Sequence, residues 1–255
     1  MSTRNTGTVS VEGGFRVESE KEAGRILTDT FQECHDPVET RLENFPKYVK
    51  RPKMTRLLSL YEIFKRVLPV KGSIIECGVY RGFGLMSWAH FSAILEPVNL
   101  TRRIYGFDTF EGFPETQAED ATSLTAVKKG DLAADSFSEL SRIIGCYDMA
   151  RFLGHIPKVR LIKGDATKTI PLFVQDNQHV VVSLLFLDFD LFEPTKVALQ
   201  YFVPRMPRGA VIAFDELDNP LWPGETQALQ ETVGIQNLRI ERLPFDPYIG
   251  FAVVP

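Results

Sequence analysis

The chain is short of the residues that build disulfide frameworks, zinc centres and membrane spans. Its three cysteines, Cys34, Cys77 and Cys146, are odd in number and have no C-x-x-C spacing, which argues against disulfides and zinc and for reduced thiols. Its four histidines, His35, His90, His155 and His179, lie far apart, so no metal cluster starts from them. Ser/His/Asp catalysis likewise has no G-x-S-x-G elbow. No apolar run approaches the ~18 residues of a spanning helix, and the polar start MSTRNTGTVSVEGG lacks the apolar core of a secretion signal. No membrane and a cytoplasmic location are the resulting expectations. Positive charge is not in excess either: the formal net charge is -4, and basic residues are scattered outside KYVKRPK at Lys47 to Lys53. Nucleic acid is therefore not an expected partner, because phosphate neutralisation needs a broad basic face.

What remains is the composition of an ordinary globular protein, 44% hydrophobic and 24% charged over 255 residues, enough for one large core. Residues 1–16 read as a mobile arm, poor in apolar periodicity. Residues 17–255 read as one domain, with a helical cap over 17–71 and a core over 72–255. Within the cap, Ala23, Ile26, Leu27 and Phe31 have helical spacing, as do Leu57, Leu58, Leu60, Tyr61, Phe64 and Leu68. Between them ENFPKYVKRP, with two prolines, reads as a loop.

After Gly72 short apolar runs alternate with helical patterns. Strands are expected at Ser73 to Val79, Arg102 to Asp108, Val159 to Asp165, Val180 to Asp190 and Gly209 to Glu216. Helices are expected near Gly84 to Leu95, Ser136 to Tyr147, Thr167 to Val174 and Pro194 to Phe202. This alternation predicts an α/β, doubly wound, mostly parallel sheet, with LRIERLP and IGFAVVP as an antiparallel edge turning at Asp246 and Pro247. The polar stretch Thr109 to Asp135 is long for a connection and reads as a lid or substrate loop, with a plain surface insertion as the other reading.

Acids collect where such a sheet binds its ligands, outside the carboxyl ends of the strands. Glu76 lies near the end of the first strand, and Asp108 and Asp165 end the second and third. Asp188 and Asp190 end the fourth, and Asp215 and Glu216 the fifth. Singly, each reads as a solvated strand end or a helix cap. Seven at one edge would repel one another unless something positive or hydrogen-bonding sits among them. Gly78, Gly82 and Gly84 follow the first strand and open a helix, where small residues let a ligand approach the backbone. They do not form G-x-G-x-x-G. Asp188, Asp215 and Glu216 are hard oxygen donors, suited to Mg²⁺ or Ca²⁺.

In order and spacing IIECGVYRGFG, YGFDTFEGFP, LIKGDA, FLDFDLFEPTKVAL and VIAFDE resemble the macrocin O-methyltransferase family, from about Asn44 to Pro255. The resemblance implies a Rossmann-like class I methyltransferase fold, S-adenosylmethionine as methyl donor, Mg²⁺, and a hydroxylated small molecule, a sugar or glycoside, as acceptor. It implies that Glu76, Cys77, Gly78 and Gly82 lie along the methionine part of the cofactor. Asp108 with Thr109 would meet the ribose, and Asp165 with Ala166 the adenine. Asp188 would bind the metal beside the cofactor, Asp215 and Glu216 would complete the metal ligands, and Asp190 would act as general base. The family shows two adjacent aspartates at the last position, and here Glu216 follows Asp215. That departure leaves a cofactor-binding scaffold with a degenerate site as the alternative. A metal-dependent hydrolase would leave the acids of the first three strands unexplained. The resemblance is compatible with a homo-oligomer. Tyr48 and Trp222, near the expected mouth, are substrate contacts or local packing.

Overall fold

The computed structural model describes residues 17–122 and 127–255; the expected arm at 1–16 lies outside them. The chain divides into two compact units, one ending at Arg56 and one running from Leu57 to Pro255. In the first, helix α1 (Glu18–Glu33) and the short helix α2 (Val38–Glu43) precede helix α3 (Arg51–Val67), which continues into the second. Here the rings of Phe31 and Tyr48 meet edge to face at 4.9 Å, and the Tyr48 hydroxyl donates to Cys34 Sγ at 3.3 Å. Tyr48 is thus engaged in local packing. The stretch expected as a loop is partly helical, because Pro46 and Pro52 fall in first turns, where the missing amide hydrogen costs nothing.

The second unit alternates as expected. Strand β1 (Ser73–Cys77), helix α4 (Phe83–Leu95), strand β2 (Ile104–Asp108), helix α5 (Phe137–Ala150), strand β3 (Val159–Lys163) and helix α6 (Ala166–Asp176) form its first half. Strand β4 (Val182–Leu187), helix α7 (Phe192–Phe202), strand β5 (Val211–Phe214), helix α8 (Gly224–Thr232) and strands β6 (Ile240–Leu243) and β7 (Asp246–Val253) complete it. Among the described residues seven strands form one sheet, ordered β3-β2-β1-β4-β5-β7-β6. The first five are parallel, and β7 is antiparallel to both β5 and β6. The turn between β6 and β7 falls at Pro244 and Phe245, ahead of the expected Asp246 and Pro247.

Helices on both faces explain why the central strands are largely apolar. Along β4, Leu184 and Phe186 pack with α3, α4 and α5, while Leu185 and Leu187 pack with α6, α7 and α8. Cys77 belongs to the second of these layers, and burial pushes its thiol well above the usual range. Its side chain is core, and only its backbone borders the strand ends.

At the opposite edge of the sheet from the acids, Arg102 is 2% exposed and holds the structure together. It donates to the carbonyls of Val67, Val70 and Gly72 and to Ser183 Oγ, and it pairs with Glu96 at 2.7 Å. Nearby, burial lowers the Lys158 ammonium to about 8, although Glu96 opposes this, and its Nζ donates to the Asn99 carbonyl at 2.9 Å. Between pH 8 and 10.5 the unfolded chain holds this proton and the folded one has released it, so folding should gain stability as pH rises. Tyr147, raised to about 12 by burial, opposes that gain above pH 10. Urea unfolding of Lys158→Met should lack the rise between pH 7.5 and 9.5, worth at most about 2 kcal/mol in the parent and less where solvent screens the ammonium. Parallel pH profiles for the two proteins would refute the assignment.

Candidate active site

The strand order reverses between β1 and β4, and in open α/β sheets that point opens the ligand crevice. Both walls of the crevice are backbone. Gly78 has φ +92°, and a Cβ there would lie 1.9 Å from the carbonyl oxygen of Asp188. The Asp188 amide in turn donates to the Cys77 carbonyl at 2.7 Å. The two strand ends therefore remain in contact just beyond the sheet, and only glycine allows it.

Asp108 fixes the next layer. One carboxylate oxygen accepts from the amides of Val79 at 2.8 Å and Tyr80 at 2.7 Å, and the other from Phe110 at 2.6 Å. It ties the loop after β1 to the loop after β2 while retaining acceptor capacity toward a ligand. Thr109 Oγ1 donates to the Gly112 carbonyl, which turns the chain into the long loop. Glu76, 2% exposed, lays its carboxylate against the first turn of α4; a Cβ on Gly84 would meet its oxygens at 2.7 and 2.9 Å. The residue before that turn is Gly82, which brings no side-chain cap, so negative charge there is favourable.

Asp165 caps α6, accepting from Thr167 N at 3.0 Å and Thr167 Oγ1 at 2.7 Å, with Lys168 Nζ 3.1 Å away. Burial opposes its ionisation, but the bonds from Thr167 and Lys168 win and hold the carboxyl below its ordinary value. Ala166 is buried behind it. The capping role that any strand-end aspartate can fill is thus real at Asp165.

The remaining acids gather at the ends of β4 and β5. Leu187 pairs with Phe214, so Asp188 and Asp215 are the next residues of two adjacent strands, and the Asp215 amide donates to the Leu187 carbonyl at 2.9 Å. β4 stops at Leu187, short of the expected Asp190, so strand alternation does not set the relation of Asp188 to Asp190. Asp190 instead has φ +62°, a left-handed turn that redirects the chain into α7. Glu216 is 8% exposed and accepts from Asn219 Nδ2.

A further carboxylate carries no motif in the sequence. Glu225, fully buried in the first turn of α8, accepts from the amides of Asp190 at 3.4 Å and Glu216 at 3.2 Å, bridging the loops that follow β4 and β5. Burial, then the charges of Asp190, Glu216 and Asp215, push its carboxyl well above the ordinary range. This is the electrostatic signature of crowded hard-oxygen donors, a set whose chemistry suits a divalent cation. Among the described residues no three His, Cys, Asp or Glu side chains are grouped as cation ligands, so Asp188, Asp215 and Glu216 are neighbours in this structure rather than a formed ligand set. Trp222, 2% exposed, packs on Phe113 of the long loop at 6.0 Å between ring centres.

The macrocin O-methyltransferase family (TylF) matches residues 51–239. A crystal structure of CalS11, described as a calicheamicin methyltransferase, is 34% identical over 93% of both chains, with a TM-score of 0.89. A second, apo structure of CalS11, described as a TDP-rhamnose 3'-O-methyltransferase of calicheamicin biosynthesis, is 33% identical over 93% of this chain and 95% of its own (TM-score 0.81). The O-methyltransferase NovP, 21% identical over 79% of this chain and 80% of its own (TM-score 0.63), shares the fold. No curated protein matches the chain. Among the described residues no helix is long and apolar enough to cross a membrane. The family match spans well over half the chain and agrees with the sheet order and the crevice at β1 and β4: the chain belongs to the macrocin O-methyltransferase family and is an S-adenosylmethionine-dependent O-methyltransferase.

Proposed function

We propose that the chain methylates a sugar hydroxyl of a glycosylated natural product in a Mg²⁺-dependent reaction. The sugar rests on the likeness to CalS11, whose description names a TDP-rhamnose acceptor. The metal rests on one observation, the convergence of Asp188 and Asp215 as the next residues of two adjacent strands, with Glu216 following and Glu225 bridging the two loops.

In this reading Gly78 and Gly82 let the methionine end of the cofactor lie against bare backbone, with Glu76 and the Cys77 main chain beneath it. Asp108 and Thr109 face the ribose, and Asp165 and Ala166 the adenine. Asp188, Asp215 and Glu216 hold the cation. Bound Mg²⁺ would lower the pKa of a neutral acceptor hydroxyl and orient it. Asp190 would accept the hydroxyl proton as the oxygen takes the methyl group and the sulfonium S–CH3 bond breaks, leaving S-adenosylhomocysteine, and the crevice would supply alignment.

Removing metal tests the reading directly. Turnover should fall by about 10² or more in chelator and return on titration with Mg²⁺. Asp215→Asn should need more Mg²⁺ for half-maximal rate while calorimetric binding of S-adenosylmethionine stays unchanged. Full turnover in chelator would remove the metal from the reaction. Cofactor binding with neither Mg²⁺ binding nor turnover would favour the degenerate scaffold.

A further inference from the structure

The long loop after β2 carries a carboxylate with no place in the reading above. Asp120 is 2% exposed, although it lies in a polar connection. One of its oxygens accepts from the amide of Gln117 at 2.7 Å within the loop. The other accepts from the amide of Phe192 at 2.6 Å, 72 positions away. Phe192 is the first residue of α7, and Leu191 before it supplies no side-chain cap. Asp120 therefore satisfies a helix-start donor that the local sequence leaves open.

That junction stands two residues from Asp190. Leu191 between them packs with Phe113 and Trp222 in a small cluster separate from the two sheet layers, with Val127, Leu132 and Leu221 around it. Gly224 closes the junction from α8: a Cβ there would lie 2.5 Å from the Phe192 nitrogen and 2.7 Å from Asp120 Oδ1. The next residue, Glu225, accepts the Asp190 amide. The left-handed Asp190 backbone is thus held on one side by Glu225 and on the other by the Asp120–Phe192 bond. Left-handed geometry at a non-glycine persists only where its surroundings enforce it.

We propose that Asp120 is a positioning residue for methyl transfer, its bond to the Phe192 amide holding the Asp190–Phe192 turn so that the Asp190 carboxylate meets the acceptor hydroxyl. The inference rests on the reading of Asp190 as general base. It also gives the long loop a part in catalysis, through Asp120.

Kinetics of four variants test this. Asp120→Ala should lower kcat about 10- to 100-fold, the scale of a small misplacement of a reacting group, with KM for S-adenosylmethionine within about twofold of the parent. Asp120→Asn, whose amide oxygen still accepts from the Phe192 amide while its NH2 loses the bond from Gln117, should restore part of kcat. In an Asp190→Asn background, adding Asp120→Ala should change the residual rate by less than about twofold, because Asp120 acts through Asp190. If Asp120→Ala does not fold, Asp120→Ser, too short to reach the amide, carries the same expectation. Wild-type kcat in folded Asp120→Ala, parallel losses of kcat and cofactor binding, or full additivity with Asp190→Asn would each overturn the inference. Full turnover in Asp190→Asn alone would instead overturn the reading of Asp190 as base.

Discussion

Replacing Asp190 by asparagine should lower methyl transfer by about 10²- to 10⁴-fold, the range lost when a positioned proton acceptor is removed. S-adenosylmethionine should bind as before, because the proposed cofactor contacts come from the loops after β1, β2 and β3 and from the strand-end backbone at Asp188, and none from the Asp190 carboxylate. The structure makes this substitution cleaner than most. Asp190 sits at φ +62°, and asparagine tolerates the left-handed region about as well as aspartate, so charge is removed without disturbing the turn. Asp190→Ala would confound two effects, since alanine in that conformation adds about 1–2 kcal/mol of strain. Single-turnover rates with saturating cofactor, beside calorimetric cofactor affinity, read the two properties apart. A rate within tenfold of the parent would assign proton removal elsewhere, and loss of cofactor affinity would make Asp190 a structural residue.

The second large effect is expected at Gly78. Gly78→Ala introduces a methyl group 1.9 Å from the Asp188 carbonyl oxygen, at φ +92°. The obstruction is main chain, so no rotamer change relieves it. Either β1 and β4 separate at their carboxyl ends or the loop leaves its position. Overpacking and left-handed strain together suggest a loss of about 2–5 kcal/mol, with cofactor affinity reduced beyond what stability alone explains. Gly130→Ala separates the two contributions. Gly130 has φ +84° with nothing within 4 Å of its would-be Cβ, so it should show the strain alone, about 1–2 kcal/mol. Denaturant unfolding of both variants, with cofactor calorimetry, measures this. Equal effects at the two glycines would show that the strand ends can yield and that the crevice is less constrained than its backbone contacts indicate.

The sheet was legible in the sequence because both its faces are covered. VVSLLFL has no polar alternation, which is how a strand buried on two sides must read, and Leu184 through Leu187 divide between two helical layers. The acids were legible for the same reason, since a carboxylate ending such a run has to lie where the core stops. Helix α8 was not. It opens on Pro223 and Gly224, which read as a turn, and it buries only Gly224, Glu225, Ala228 and Leu229, too little for a helical stripe to stand out. Glu225 was missed with it, because its role depends on backbone amides at Asp190 and Glu216 that are distant or irregular in sequence. The expected strand end at Asp190 was wrong because β4 stops at Leu187 and a left-handed residue at Asp190 breaks any period. Asp120 was hidden in a polar stretch, where an acid looks solvated until the fold brings Phe192 over it.

The contact between Gly78 and Asp188 also bears on when the crevice comes into being. The two residues stand 110 positions apart (188 minus 78), and β1 cannot find β4 until β2, β3 and their helices have been made. Loop closure over such a span is entropically late, so the cofactor crevice belongs to the final stages of assembly. A nascent chain that ends before β4 has the glycine turn and Asp108 but lacks the facing wall. S-adenosylmethionine, placed across that seam in the proposed reading, would favour only the finished protein and act as a brace on a strand pair closed over a long span.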